Sequence, residues 1–529
     1  MFDSSLTLRR RRKPRVAPDP ALRGTRPSAV GLVLAALAGG LSLFSFEPFG
    51  WWPLQFVLLA YFFYQVGMGS SVRRATFIGW AFGFGWSVAA MHWLYIFMTR
   101  FAHLPAILGA IGVVLLGLYM GLFGACAAGV STWLRRRWSL PVSAFLLLVL
   151  PVAWGVSEWM RGWVFTGFPW AASGYAHNDA PLAGFAPLIG VYGIGTLIAM
   201  CASCIVMLTQ RGKLPAVALF AVLMLAGAGL RSVEWTQKTG QPLTVRLLQG
   251  NIPQDHKFDM AFLGSILGTY QQMITAAPAD LIATPETAIP IFSQQLPPGY
   301  LDNLQHFATA SGSTLAVGMP VLDGPDKYAN SLVAISPGPQ PYRYDKAHLV
   351  PFGEFIPPGF RWFTDMLNIP LNDATRGGML QAPFAVKDQL VLPNICYEDV
   401  FGEEIAYQLR NAPRPATMLL NVSNLAWYGQ STAIPQHLQI SRMRSLETGR
   451  PMLRATNDGA TAVIDHRGRI VQVLPFYKEG VLTATVQGMA GSTPYIRCGN
   501  LLFLSLGALL LGGAWFAGRR RRVEAQNHA

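Results

Sequence analysis

The chain has 529 residues, of which 52% are hydrophobic and 13% charged, with a mean hydropathy of +0.33 and a formal net charge of +14. That balance excludes an ordinary soluble protein of two or three domains and indicates an integral membrane protein. A nucleic-acid reading of the pI of 9.7 also fails, because the basic residues cluster at the flanks of apolar stretches and not on one face of a domain.

Eight apolar stretches follow in chain order, at 28–46, 51–68, 76–98, 106–133, 139–156, 184–209, 214–230 and 500–518. Each is near the ~20 residues a helix needs to cross a bilayer. The first lies too far behind a run of arginines, and too close to the second, for a cleaved signal peptide, so it is expected to be an anchor. The chain then divides into a basic N-terminus (1–27), seven spans (28–230), a soluble domain (231–499), an eighth span (500–518) and a basic tail (519–529). With the N-terminus inside, the inner flanks hold nineteen Lys and Arg: Arg9–Arg12, Lys13, Arg15, Arg23, Arg26, Arg73, Arg74, Arg135–Arg137, Arg211, Lys213 and Arg519–Arg522. The short outer loops hold Arg100 and Arg161. The positive-inside rule therefore predicts both termini in the cytoplasm and the soluble domain outside, which in a bacterium is the periplasm.

Residues 231–499 carry 20 Lys plus Arg against 21 Asp plus Glu, so this domain is nearly neutral. Apolar or alternating runs at 243–252, 279–286, 313–321, 330–337, 389–398, 416–424, 451–457, 461–466 and 480–486 read mostly as strands. Helical patterns lie between several of them, at 256–277, 299–312, 402–411 and 433–450. The alternation predicts a layered α/β domain with a mixed sheet, and no internal repeat is evident.

Of five cysteines, Cys126, Cys201 and Cys204 fall inside predicted spans and Cys498 at the edge of the last. Cys201 and Cys204 read as small packing residues at a helix interface. Cys396 alone is well inside the soluble domain, where an oxidising compartment usually pairs cysteines. Glu286, Cys396 and Asn424 each end a predicted strand, on the rim where open α/β sheets bind ligands. Lys346 follows another strand-like run. A carboxylate can take a thiol proton, the thiolate is the nucleophile, and an ammonium can face an oxyanion. Taken singly, Cys396 also reads as a core residue, Glu286 as a turn cap and Lys346 as a solvated loop charge.

The segments "TPETAIP" at Glu286, "YANS" at 328–331, "YDKAHLVPFGEF" at Lys346, "NICYED" at Cys396, "NLAWYG" at 424–429 and "RSLETGRPMLRATNDG" at 444–459 form an ordered set. This set resembles the nitrilase superfamily and, with the membrane layout, the apolipoprotein N-acyltransferase family of bacteria with two membranes. The chain departs from the family pattern at Thr284, where Trp is frequent, and at Leu425, where Asp is frequent. The resemblance implies an αββα sandwich with Cys396 as nucleophile, Glu286 as general base and acid, and Lys346 as oxyanion stabiliser. It implies acyl transfer from the sn-1 ester of a phospholipid, commonly phosphatidylethanolamine, to the α-amine of an S-diacylglyceryl cysteine at the N-terminus of an apolipoprotein. It links Glu354, Tyr397 and Glu398 to the substrate site, and matches Trp235 to a position near the membrane entrance.

The segment 352–385 carries Phe, Trp, Met, Leu and Ile among Pro and Gly, and is expected to dip into the outer leaflet with Trp362 and Phe363. Two other readings stay open. A membrane-tethered amidase or nitrilase would use the same triad on a small carbon–nitrogen substrate. A transporter with a sensory domain would need more ionisable residues in its spans than His92, the one found. No zinc spacing, phosphate loop or dinucleotide fingerprint occurs, so neither metal nor nucleotide cofactor is expected.

Overall fold

The computed structural model describes residues 27–69, 71–209, 213–324, 327–338, 341–362 and 373–527. The basic residues 9–26, Arg211 and Phe363 lie outside them. Five described helices are long and apolar enough to cross a membrane: Ala106–Trp138, Val142–Arg161, Pro181–Met207, Lys213–Leu230 and Leu501–Glu524. Val72–Ala90 and Leu94–Phe101, bent by 63°, make a sixth if taken together. The first two apolar stretches form shorter helices, Ala29–Leu41 and Trp52–Gly67. Sixteen residues reach about 24 Å, short of a ~30 Å hydrocarbon core.

Small residues let these helices meet backbone to backbone. A Cβ on Gly39 would stand 2.0 Å from the Phe82 carbonyl oxygen, and one on Gly85 1.9 Å from that of Ala36. The stretch 76–98 is not one straight span. The indole of Trp93 donates to the Ala90 carbonyl at 3.0 Å, an acceptor a continuing helix would have used for Leu94, and the chain turns there. His92 sits in that turn, its Nδ1 2.8 Å from the Ala89 carbonyl, at the break between the two helices of the bent pair.

Among the described residues the α/β part holds fourteen strands: β1 Thr236–Lys238, β2 Leu243–Gln249, β3 Leu281–Ala283, β4 Thr314–Gly324, β5 Lys327–Ile335, β6 Tyr342–Asp345, β7 Phe384–Val386, β8 Gln389–Ile395, β9 Met418–Ser423, β10 Met452–Thr456, β11 Ala462–Ile464, β12 Ile470–Val473, β13 Gly480–Val486 and β14 Met489–Gly491. β1 and β14 pair with each other. The rest make two six-stranded sheets, ordered β13-β2-β3-β4-β5-β6 and β7-β8-β9-β10-β11-β12. In each, three central strands run parallel and the flanking pairs are antiparallel. The domain is thus a topological repeat of two halves, which the sequence does not betray.

Alternation within strands builds the layers. Leu243, Val245 and Leu247 of β2 meet Val391, Ile395, Met418, Leu420 and Val422 of β8 and β9 in the core between the sheets. Leu248, Ile282, Leu315 and Val317 face the other way, onto helices Met260–Thr275 and Tyr300–Ser311. Leu392, Leu419 and Met452 face helices Gly402–Asn411 and Ala433–Thr448. The result is an αββα sandwich. The helical pattern at 256–277 proves to be two helices, Gln254–Lys257 and Met260–Thr275, because Asp259 caps the second by accepting from Ala261 N–H at 2.9 Å.

The membrane helices and the sandwich share one interface. Helix Ala433–Thr448 is buried along its whole length. Trp170 Nε1 donates to Gln436 Oε1 at 2.8 Å, Asn178 Nδ2 to the Gln439 carbonyl at 2.7 Å, and Val191 N–H to Glu447 Oε1 at 2.8 Å.

Candidate active site

Four segments converge at the C-terminal rim of the sheets. Glu286 lies just past β3, Lys346 follows β6, Cys396 follows β8 and Asn424 follows β9. Glu286 Oε1 accepts from Lys346 Nζ at 3.1 Å and Asn330 Nδ2 at 2.8 Å, while Oε2 accepts from the Asn424 N–H at 3.0 Å. Lys346 Nζ and Asn330 Nδ2 each also donate to Glu354 Oε1 at 2.9 Å. Glu354 Oε2 accepts from Val350 N–H at 2.9 Å, which closes the loop that follows Lys346.

Burial and charge fix the resting protonation. Burial disfavours a charged Glu286, yet Lys346 and Lys257 outweigh it and hold the carboxyl below its ordinary range. Burial likewise opposes the Lys346 ammonium, and Glu286 and Glu354 more than restore it, to well above the usual lysine range. The Cys396 thiol is pushed far up, first by burial and then by Glu286, against the pull of Lys346. The site therefore rests with a protonated thiol and an ionised carboxylate available to take its proton.

Backbone geometry serves the same end. Cys396 is held at φ +53°, a left-handed conformation that costs a non-glycine residue roughly 1–3 kcal/mol unless its surroundings enforce it. Glu398 supplies much of that enforcement. Its Oε2 accepts from Ile395 N–H at 2.6 Å and Tyr344 OH at 3.1 Å, and its Oε1 accepts from Ala347 N–H at 2.6 Å and His348 N–H at 3.2 Å. One buried carboxylate thus ties the strand end before Cys396 to the residues after Lys346. Burial raises it to about 7 against the pull of those donors. The Glu286 loop approaches β4 so closely that a Cβ on Gly318 would stand 2.3 Å from the Pro285 carbonyl oxygen. Thr284 stabilises the same contact, its hydroxyl accepting from Gly318 N–H at 3.0 Å.

Tyr397 points away from this cluster. Its hydroxyl donates to the Gly167 carbonyl at 2.8 Å, and Tyr175 OH donates to the Val400 carbonyl at 3.1 Å, so the segment after Cys396 is clamped to the 162–185 segment of the membrane part. Leu425 is buried in the core with Leu392, Ile434 and Leu438. Next to it, Trp427 and Tyr428 face the bent membrane helix: Tyr428 is 4.5 Å from Trp93, and Trp427 is 5.5 Å from Phe101 and 6.3 Å from Phe258. An aromatic cluster therefore packs between the bend and the segment after β9.

Trp235 stands elsewhere, in a cavity with Arg231, Glu234, His466 and Arg469 at the C-terminal end of Lys213–Leu230. Of the expected membrane-dipping segment, Phe352, Phe360, Trp362, Met379 and Leu380 are exposed. Sequence reasoning missed Asn330, Gln254, Asn457 and Lys257. Asn424 bonds Gln254 Oε1 at 2.7 Å and accepts from Asn457 at 3.1 Å, and Lys257 Nζ donates to the Glu286 carbonyl at 3.0 Å. Asn330 lies inside β5, Gln254 and Lys257 in the short helix after β2, and Asn457 just past β10, so only Asn457 carries the strand-end signal, while Asn330 and Asn457 fall within the quoted segments. Among the described residues no three His, Cys, Asp or Glu side chains are grouped to hold a metal ion.

Comparison with known proteins agrees with this architecture. Residues 38–204 match the apolipoprotein N-acyltransferase N-terminal domain and residues 230–495 the carbon-nitrogen hydrolase family. The apolipoprotein N-acyltransferase of Ralstonia nicotianae is 47% identical over 494 residues, covering 93% of this chain and 94% of its own. That of Nitrosomonas europaea is 41% identical over 502 residues, covering 93% and 99%. A solved CN-hydrolase superfamily protein of Xanthomonas campestris aligns at 17% identity and a TM-score of 0.37, over 47% of this chain and 91% of that one.

Proposed function

The chain belongs to the apolipoprotein N-acyltransferase family, and from that premise we propose that it moves an acyl chain from the sn-1 position of a phospholipid to the N-terminal α-amine of an S-diacylglyceryl-cysteine lipoprotein, through a thioester on Cys396. Glu286 takes the thiol proton as Sγ attacks the ester carbonyl, and the Lys346 ammonium faces the oxyanion. The intermediate collapses to the thioester, and the lysophospholipid alkoxide leaves with the proton from Glu286. The lipoprotein amine then attacks the thioester, passes its proton to Glu286, and the Cys396 thiol re-forms as the amide departs.

The observation that carries this reading is the Glu286–Lys346–Glu354 cluster at the rim that bears Cys396, beside aromatic side chains packed against a bent membrane helix. Both substrates are lipids, so a site set against membrane helices meets them in two dimensions. We further propose eight spans, with Ala29–Ser45 and Trp52–Gly67 as short ones, in the bacterial inner membrane. Both termini are then cytoplasmic and residues 231–499 periplasmic, with the donor phosphatidylethanolamine. The nineteen basic inner flanks support that orientation.

The test is intact mass of the protein incubated with a phospholipid of defined chains and no acceptor, beside Cys396→Ala. The expected result is a hydroxylamine-labile gain of one acyl chain, absent in the variant and discharged by a diacylglyceryl peptide. A Cys396→Ala protein that turns over normally would remove the thioester route.

A further inference from the structure

Lys346, the expected ammonium of the site, is already spent. It lies between Glu286 and Glu354, at 3.1 and 2.9 Å, and is 1% exposed. Two carboxylates against one ammonium leave that cluster with a net charge of −1, and passing the Cys396 proton to Glu286 moves that charge onto the thiolate without removing it. In a buried setting such an uncompensated charge is costly unless a further cation faces it.

Lys257 supplies that cation. It ends the short helix Gln254–Lys257, is 2% exposed, and its Nζ donates to the Glu286 main-chain carbonyl at 3.0 Å. Its charge is felt by Glu286 from the loop after β3, by Asp458 from the loop after β10 and by Cys396 from the end of β8. Beyond these, Lys346 and Glu354 face Glu286, and Tyr270 of helix Met260–Thr275 faces Asp458. Asp458 is 6% exposed with Oδ1 unpartnered, and burial raises its carboxyl to about 6, so it opposes Lys257 only when ionised.

We infer that Lys257 is a positioning residue of the acyl-transfer site: it anchors the Glu286 peptide and supplies a second positive charge beside the buried carboxylates before the Cys396 thiol gives up its proton. The inference rests on the proposed roles of Glu286 and Cys396. Burial lowers the Lys257 ammonium to about 8, so the second charge is present at neutral pH and is lost as pH rises through that value. Above it, Glu286 and the thiol face the uncompensated cluster again.

The experiment reads the thiol directly and needs no lipid. Full-length protein is treated with iodoacetamide across a pH series, and the Cys396-containing peptide is followed by mass spectrometry in wild type, Lys257→Met, Lys257→Arg and Glu286→Gln. Wild type should show a break in the rate profile near pH 8. Lys257→Met should be slower by about tenfold or more near neutral pH, as expected for one pKa unit on the thiol, and should lack the break. Lys257→Arg, which keeps the charge, should recover to within about threefold. A Lys257→Met protein with a normal thermal transition, the wild-type rate and the break retained would overturn the inference. If neither lysine variant folds, the wild-type profile decides, since a smooth course through pH 8 overturns it. Slowing in Glu286→Gln with none in Lys257→Met sinks the Lys257 role alone. No change in either sinks the Glu286 base as well.

Discussion

The two outer layers of the sandwich are both helical, yet they obey opposite rules. On one side, helix Tyr300–Ser311 buries Leu304 and Ala308 against β3 and β4 and leaves Asp302, Asn303 and Gln305 in the open, as an amphipathic helix should. On the other, helix Ala433–Thr448 carries Gln436, His437, Gln439, Arg442, Arg444 and Glu447 and is buried all round. The reason is that its second face meets no water. It meets the membrane helices and the 162–185 segment between them, and its polar groups are taken up there by Trp170, Asn178 and Val191. A polar helix can be the most buried element of a domain when it is the joint between two bodies, and this joint runs into the segment Cys396–Val400 through Asp399, which pairs with His437 at 2.6 Å and Arg454 at 3.2 Å.

The largest effect should come from breaking the joint. Arg444 and Glu447 pair at 3.1 Å, both fully buried. Glu447→Ala leaves an uncompensated buried guanidinium and should cost about 3–5 kcal/mol, seen as a collapse of the thermal transition of the purified protein. Glu447→Gln separates charge from packing. Burial raises the Glu447 carboxyl to about 7, above its unfolded value, so its contribution is complete below the unfolded value and is lost as pH rises through 7. The stability advantage of wild type over Glu447→Gln should accordingly shrink from pH 5 to pH 8, and an advantage that grows would reverse the assignment.

The opposite layer offers the contrast. Leu304 is fully buried, and Leu304→Ala should cost about 2–5 kcal/mol in the same thermal assay. Acyl-enzyme formation per folded molecule should nevertheless stay at the wild-type rate, because Leu304 packs on β3 and β4 and makes no polar contact with the rim. A large catalytic defect in Leu304→Ala would show that the solvent layer is coupled to the rim after all.

Between these sits Glu398, which belongs to neither layer. Glu398→Gln keeps one acceptor oxygen but turns an amide towards N–H donors. It should loosen Lys346 against Cys396 and slow acylation by about a hundredfold, or about 2.7 kcal/mol, with little change in KM for the phospholipid. A defect confined to KM would make Glu398 part of lipid binding instead.

How much of this was legible follows from the physics of each signal. All nine runs read as strands are strands, because long apolar alternation has no other stable use in such a layer. The segments β1, β7, β12 and β14, three or four residues each, were not read as strands, and β12 is exposed throughout. Glu286, Lys346, Cys396 and Asn424 were legible as strand-end chemistry. Lys257 was not, since reading 256–277 as one helix gave it an ordinary helical position. The break at Phe258 and the Asp259 cap are what turn it inward. The burial of Ala433–Thr448 could not be read either, because it depends on a partner surface some 250 residues away in sequence.

The smallest effect is the sharpest control. Asp302 is exposed in the first turn of Tyr300–Ser311, where its charge meets the positive end of the helix dipole and little else. Asp302→Asn should cost about 0.3–1 kcal/mol, and less at high salt, with acyl transfer unchanged. If it slowed transfer as strongly as a change in the membrane-facing helix, charge on the solvent layer would be reaching the site, and the insulation between the two layers would have to be given up.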